Sequence, residues 1–239
     1  DNSFLVRGGA GIFTGRIPFV WISNSFGNTG VEYIRTRLQT ADLKKINFKF
    51  SADPNNQPLG KAMTSTEVDV VAKDFKYPQS FRVNLALEKM LPFDVRGTLE
   101  GIYTKKMNDI YYQNINIEES GKMLNNFKDK RPLYGSSISS DYTSVILLSN
   151  TDEGYSYNIT GKLEKSFGFG LDLMAAYTYG RSMGVNDGTS SQAYSNWSYN
   201  ESWRGSNNPE VSYADFDQPH RIIASASYKV AYGKNLATS

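Results

Sequence analysis

Asp215, Asp217 and His220 stand close together in a chain of 239 residues, and these side chains in that spacing could ligate a metal or exchange protons. One strand would place residues 215 and 217 on the same face. Pro219 and the alternation that follows it read instead as a loop closing onto the start of a strand. His220 is the only histidine and cysteine is absent, which removes thiolate metal sites, a cysteine nucleophile and any disulfide framework. No Ser/His/Asp arrangement emerges from the spacing, and nothing pairs two carboxylates as a glycosidase requires. No enzyme activity, metal or cofactor is expected.

Two other clusters carry possible chemistry. Gly8, Gly9, Gly11 and Gly15 in RGGAGIFTG look like a phosphate-binding loop, but Gly15 and Pro18 interrupt the helix such a loop must open, and the Lys-Ser/Thr pair is missing. The glycines are read as strand positions that allow sharp twist or close backbone approach. In the polar stretch 183–218, Tyr194, Trp197, Tyr199, Trp203 and Arg204 are the candidate solute contacts: aromatic faces stack on rings, and a guanidinium pairs with carboxylate. The same aromatics could equally pack the loop onto its neighbours. Three Asn-x-Ser/Thr sequons (158–160, 196–198, 200–202) receive no role. Lys44-Lys45 and the run 128–131 read as solvated surface, and a net charge of +2 gives no field for nucleic acid.

The elements that must position these residues show a period of two. Tyr155, Tyr157, Ile159, Gly161 and Leu163 alternate with Ser156, Asn158, Thr160, Lys162 and Glu164, and similar alternation runs through 81–88, 95–103, 171–179 and 221–232. Mean hydropathy is −0.47 although 13% of residues are aromatic, so apolar and polar side chains must interleave. No run is apolar enough for a transmembrane helix. Very short turns at 91–94 and 166–170 alternate with long polar stretches at 39–79, 118–143 and 182–218, the rhythm of a transmembrane β-barrel.

Aromatics sort by height along these strands. Phe93, Phe167, Phe169 and Tyr232 fall at the short-turn ends, and Tyr103, Tyr155, Tyr157, Tyr177 and Tyr179 towards the long-loop ends, with aliphatic residues between. The opposite face carries Arg82, Glu88, Arg96, Glu100, Lys162, Glu164, Arg221 and Lys229, which implies a wet or plugged lumen. The alternative architecture is a secreted soluble β-sandwich that binds carbohydrate.

Four blocks, RGGAGIFTGRIPFVWISNSFGNTG, DFKYPQSFRVNLALEKMLPFDVRGTLEGIYTKKMNDIYYQN, SNTDEGYSYNITGKLEKSFGFGLDLMAAYTYGRS and FDQPHRIIASASYKV, resemble the barrel of TonB-dependent outer-membrane receptors, in particular the Oar-like type that begins with a carboxypeptidase-regulatory-like domain. The resemblance implies an all-β, antiparallel transmembrane barrel of roughly 22 strands in the bacterial outer membrane. It also implies lipid around the barrel, a TonB complex engaged through other parts of a parent chain, and uptake of a scarce glycan, peptide or siderophore. Residues 1–239 are expected to form part of one barrel domain, about seven strands, with neither a plug nor a complete barrel. Counting from the short turns, 80–90, 153–165 and 219–232 run inwards and 95–117 and 169–182 outwards; 3–13 is assigned inwards and 31–38 outwards. Phe13, Phe19 and Trp21 then fall at the periplasmic rim, with Ser23–Gly30 as a long inner turn.

Overall fold

The computed structural model describes residues 4–31, 40–45, 49–56, 66–125, 128–129 and 131–230. Its centre is a wall of six antiparallel strands in the order β1 (Phe4–Thr14), β3 (Gln79–Leu91), β4 (Val95–Asn114), β8 (Tyr155–Ser166), β9 (Leu171–Gly184) and β11 (His220–Tyr228). The sheet is open, its outer edges being β1 and β11 among the described residues. The remaining strands belong to the long connections: β2 (Thr66–Val71), β5 (Ile117–Met123), β6 (Pro132–Ser137), β7 (Tyr142–Thr151) and β10 (Ser212–Tyr213). They are joined there by helices α1 (Phe19–Gly27), α2 (Thr40–Lys45) and α3 (Ala193–Ser198).

Register fixes which side chains share a face. Along one rung, Phe4 pairs Lys89, Lys89 pairs Gly97, Gly97 pairs Leu163, Leu163 pairs Ala175 and Ala175 pairs Ala224. Because partners across a ladder point the same way, the apolar set of each strand lies on one side of the wall. Leu85, Leu99, Ile159, Leu163 and Ile222 on that side are more than half exposed, as a membrane-facing surface requires. The other side collects Arg82, Glu88, Arg96, Glu100, Lys162, Glu164 and Arg221, as the alternation predicts. There Glu88 lies between Arg7 (4.0 Å) and Arg96 (3.5 Å), and Lys162 meets Glu164 at 2.9 Å. Lys229 lies just past the end of β11.

Tight turns close two wall hairpins. Phe93 and Asp94, with φ of 65° and 55°, supply the consecutive left-handed residues that let a short hairpin follow strand twist. At the second turn Gly170 has φ 94° and its N–H donates to the Phe167 carbonyl. Gly8 answers the question raised by the glycine-rich N-terminal stretch: a Cβ there would sit 2.8 Å from the Asn84 carbonyl oxygen, so the residue is glycine because a neighbouring backbone is close.

The direction of β1 corrects the sequence reading. β1 is antiparallel to β3, and Thr14 pairs Gln79 at the long-loop end while Phe4 pairs Lys89 near the short turn. β1 therefore runs outwards, and Phe13, Phe19 and Trp21 sit at the long-loop end instead of the periplasmic rim. Ser23–Gly30 is the second half of helix α1 and the residues after it, not an inner turn. The physical reason is burial. Ile17 and Trp21 enter a core with Ile110, Tyr112, Ile146, Leu148 and Ala193, which only exists beyond the wall. All of the expected strand 31–38 except Val31 lies outside the described residues, as does Tyr232, and six wall strands are described where about seven were expected.

β4 is 20 residues long and outlasts the wall. Its lower half pairs β8 (Lys105 with Tyr155) and its upper half pairs β7 (Asp109 with Thr151). The two ladders are in step, so β7 and β8 form one strand interrupted at residues 152–154, where the Lys106 N–H donates to the Gly154 carbonyl. Above the break β7 also takes β2 as a parallel partner. The long connections are thus built structures, with their own strands, helices and core.

Candidate functional site

The segment after β9 forms a pocket of 510 Å³ at the long-loop end. Its floor is set by amide brackets. The Asn186 side chain donates to the Asn196 carbonyl (2.8 Å) and accepts from the Gly188 N–H (2.8 Å). Asn196 clasps Ser190 through both its amide nitrogen and its oxygen (2.9 Å each). Asn200 donates to the Val185 carbonyl at 2.9 Å. Short polar side chains that bond nearby backbone suit a loop that must hold one shape without a sheet.

The pocket loop is anchored to the core beneath it. The Trp21 indole donates to the Ser190 carbonyl (2.8 Å), Asn24 donates to Ser191 (2.8 Å), and Asn207 bridges to the end of β4 by accepting from the Asn114 N–H (2.6 Å) and donating to its carbonyl (2.9 Å). Gly188 has φ 59° and a Cβ there would lie 2.5 Å from the Trp21 ring, so glycine is required where loop and helix meet.

The five predicted contact residues divide. Tyr199 and Trp203 line the pocket and are 79% and 63% exposed. Trp197 packs on the core and donates its indole N–H to Asn207 (2.9 Å), and Tyr194 meets it edge-on at 5.4 Å. Those two follow the packing alternative. Arg204 does not line the pocket; its guanidinium lies 5.0 Å from the centre of the Trp203 ring.

Sequence reasoning missed Tyr213 and the carboxylates Asp187, Glu201 and Glu210, which line the pocket together with Asp215, a residue singled out for metal or proton chemistry and not as a solute contact. Asp187 accepts from the Asp215 N–H at 2.7 Å. Burial alone would raise the Glu210 carboxyl, but donors from Ser202 (2.7 Å) and the backbone of Trp203 (3.2 Å) and Arg204 outweigh it and hold the group below its usual range. The acids are scattered through 187–215 with no period, so only the folded loop reveals their convergence. Asp217 and His220 go elsewhere. Asp217 accepts from the Ser182 N–H (2.7 Å) and pairs Arg181 (3.2 Å), whereas His220 Nδ1 shares a hydrogen bond with the Tyr177 hydroxyl (2.7 Å). Among the described residues no three His, Cys, Asp or Glu side chains are grouped to hold a metal ion.

A spanning-length antiparallel sheet with an aliphatic band free of acidic residues on one face, charges of both signs on the other and structured excursions at one end defines a wall of a membrane β-barrel. The chain belongs to the outer membrane beta barrel domain family, whose model matches residues 1–238, and its location is the bacterial outer membrane. The membership disfavours the soluble sandwich alternative. No curated protein and no solved structure matches the chain.

Proposed function

We propose that this chain supplies part of the wall and part of the external solute-binding surface of a TonB-dependent outer-membrane receptor of the Oar-like type. Its parent protein takes up a scarce solute, and the chain binds that solute without transforming it. The observation that carries the reading is the 510 Å³ pocket, with Tyr199 and Trp203 presented by a loop hydrogen-bonded to the end of the wall. The charged inward face and the four-block resemblance support it as well. The short turns of such barrels face the periplasm, which puts the pocket outside the cell.

The test measures accumulation of a panel of glycans, peptides and ferric siderophores by cells carrying the full-length protein, with and without the inner-membrane TonB complex. One solute should accumulate only with the complex, and replacing Tyr199 and Trp203 with alanine should depress its uptake about tenfold, as loss of two stacking surfaces implies. Accumulation indifferent to the complex would sink the proposal.

A further inference from the structure

The outward face of the wall carries charges of one sign only. Between the short turns and the rung of Tyr155 and Met183, no aspartate or glutamate occupies an outward position on any of the six strands. The outward charges are Lys105 and Arg181 near the long-loop end and Lys89 and Lys165 near the short turns. The first pair is committed to the external loops, Lys105 to the Asp152 carbonyl (2.7 Å) and Arg181 to Asp217. Lys89 makes no hydrogen bond or ion pair among the described residues, and Lys165 only approaches the Phe167 ring, at 4.6 Å.

Lys89 borders an apolar trough. It occupies 740 Å³ and crosses the wall along two rungs, between Phe4, Leu87, Lys89, Leu99, Leu163 and Ile222. A second trough, lined by Lys165, adjoins it and shares Leu163 and Ala175. The depth comes from small residues in register: Gly97 pairs Leu163, and Gly161 lies between Leu99 and Tyr177. A Cβ at Gly161 would meet nothing within 4 Å. Strand spacing and rise put the Lys89 and Lys165 Cα atoms roughly 12 Å apart, within reach of one headgroup for two lysine side chains.

We infer that this trough is a binding site for an anionic glycerophospholipid of the periplasm-facing leaflet, with its phosphate between Lys89 and Lys165 and an acyl chain over Gly97 and Gly161. Charge complementarity and the bilayer setting of this face name the occupant. A zwitterionic lipid carries its own ammonium beside the phosphate and so brings no net charge to offset the two lysines. The full-length protein extracted from outer membranes in mild detergent is incorporated into vesicles of phosphatidylglycerol and phosphatidylethanolamine, re-extracted, and its retained lipid measured by native mass spectrometry. Phosphatidylglycerol should be retained in preference. Each Lys→Gln change should lower its retention about five-fold, and Lys89→Gln with Lys165→Gln about 25-fold, from the attraction of one lysine to an anionic surface. Lys89→Arg with Lys165→Arg should retain it, and Gly161→Leu should reduce it several-fold while heat-modifiable migration stays normal. Undiminished retention by the glutamine pair, or preference for phosphatidylethanolamine, would overturn the assignment.

Discussion

Asp69 is buried on β2 beneath α1, with one carboxylate oxygen accepting from the Asn28 amide (2.6 Å) and the other unpartnered. Burial pushes its carboxyl above the ordinary 3.8, with the Asn28 bond opposing. A raised folded pKa means the folded core holds the proton more tightly than the unfolded chain. Its stabilisation is therefore complete below 3.8 and disappears as pH rises through the folded value. Glu210 has the opposite sign: its contribution exists above 4.5 and is lost as pH falls through its lowered value. Asp69→Asn should stabilise the external core at neutral pH and flatten its pH dependence, read as slower amide exchange in β2 and β7; unchanged exchange would contradict the burial argument. Trp21→Ala removes a core ring and the anchor to Ser190, and should destabilise that core by about 3–5 kcal/mol, measured by proteolysis of the loops on intact cells. Neither side chain announces itself in the sequence, because an indole at a rim and an indole in a core have the same neighbours in the chain.

Among the elements, the wall strands were legible and the excursions were not. β3, β4, β8, β9 and β11 alternate cleanly because one face meets lipid and the other water, and that difference is written residue by residue. β1 alternates too, yet alternation does not carry its direction. Direction is inherited from a neighbour, and the 15–78 connection hides two helices and a strand, with apolar residues in α1 that imitate a strand end. α1 itself, FVWISNSFG, has little intrinsic helix propensity and stands on the packing of Trp21 and Ile22. The pocket was half legible, its stacking rings visible as an aromatic cluster and its acids invisible until the loop closed. Strand pairing gives a sharp prediction at this scale. A Cβ on Gly180 would lie 2.1 Å from the Asn158 amide oxygen and 2.5 Å from the Tyr157 carbonyl. Gly180→Ala should cost about 1–3 kcal/mol and lower the folded, heat-modifiable fraction, whereas Gly161→Ala should leave it unchanged. Equal behaviour of the two variants would mean the β8–β9 register is wrong.

For the whole molecule, orientation is the property most open to direct test, and residues 1–239 contain no cysteine that would compete with an introduced one. Asn55→Cys, exposed in the 15–78 connection, should react with a membrane-impermeant maleimide on intact cells. Gly168→Cys in the short turn should react only after the outer membrane is permeabilised. Reversal of that pattern would invert every strand direction given above. Among the described residues the sheet is open at β1 and β11, and these edges present two templates for further strands.

The break at residues 152–154 has a meaning for how such a protein diversifies. Since β7 and β8 keep one register along β4, the bond from Lys106 to Gly154 marks a seam: below it lies a plain hairpin, above it a removable headpiece. Joining the two sides of that seam with a tight turn would leave every rung of the β4–β8 ladder in place. Different headpieces could be spliced there over evolutionary time, or at the bench, with the membrane portion left to serve as a standard socket.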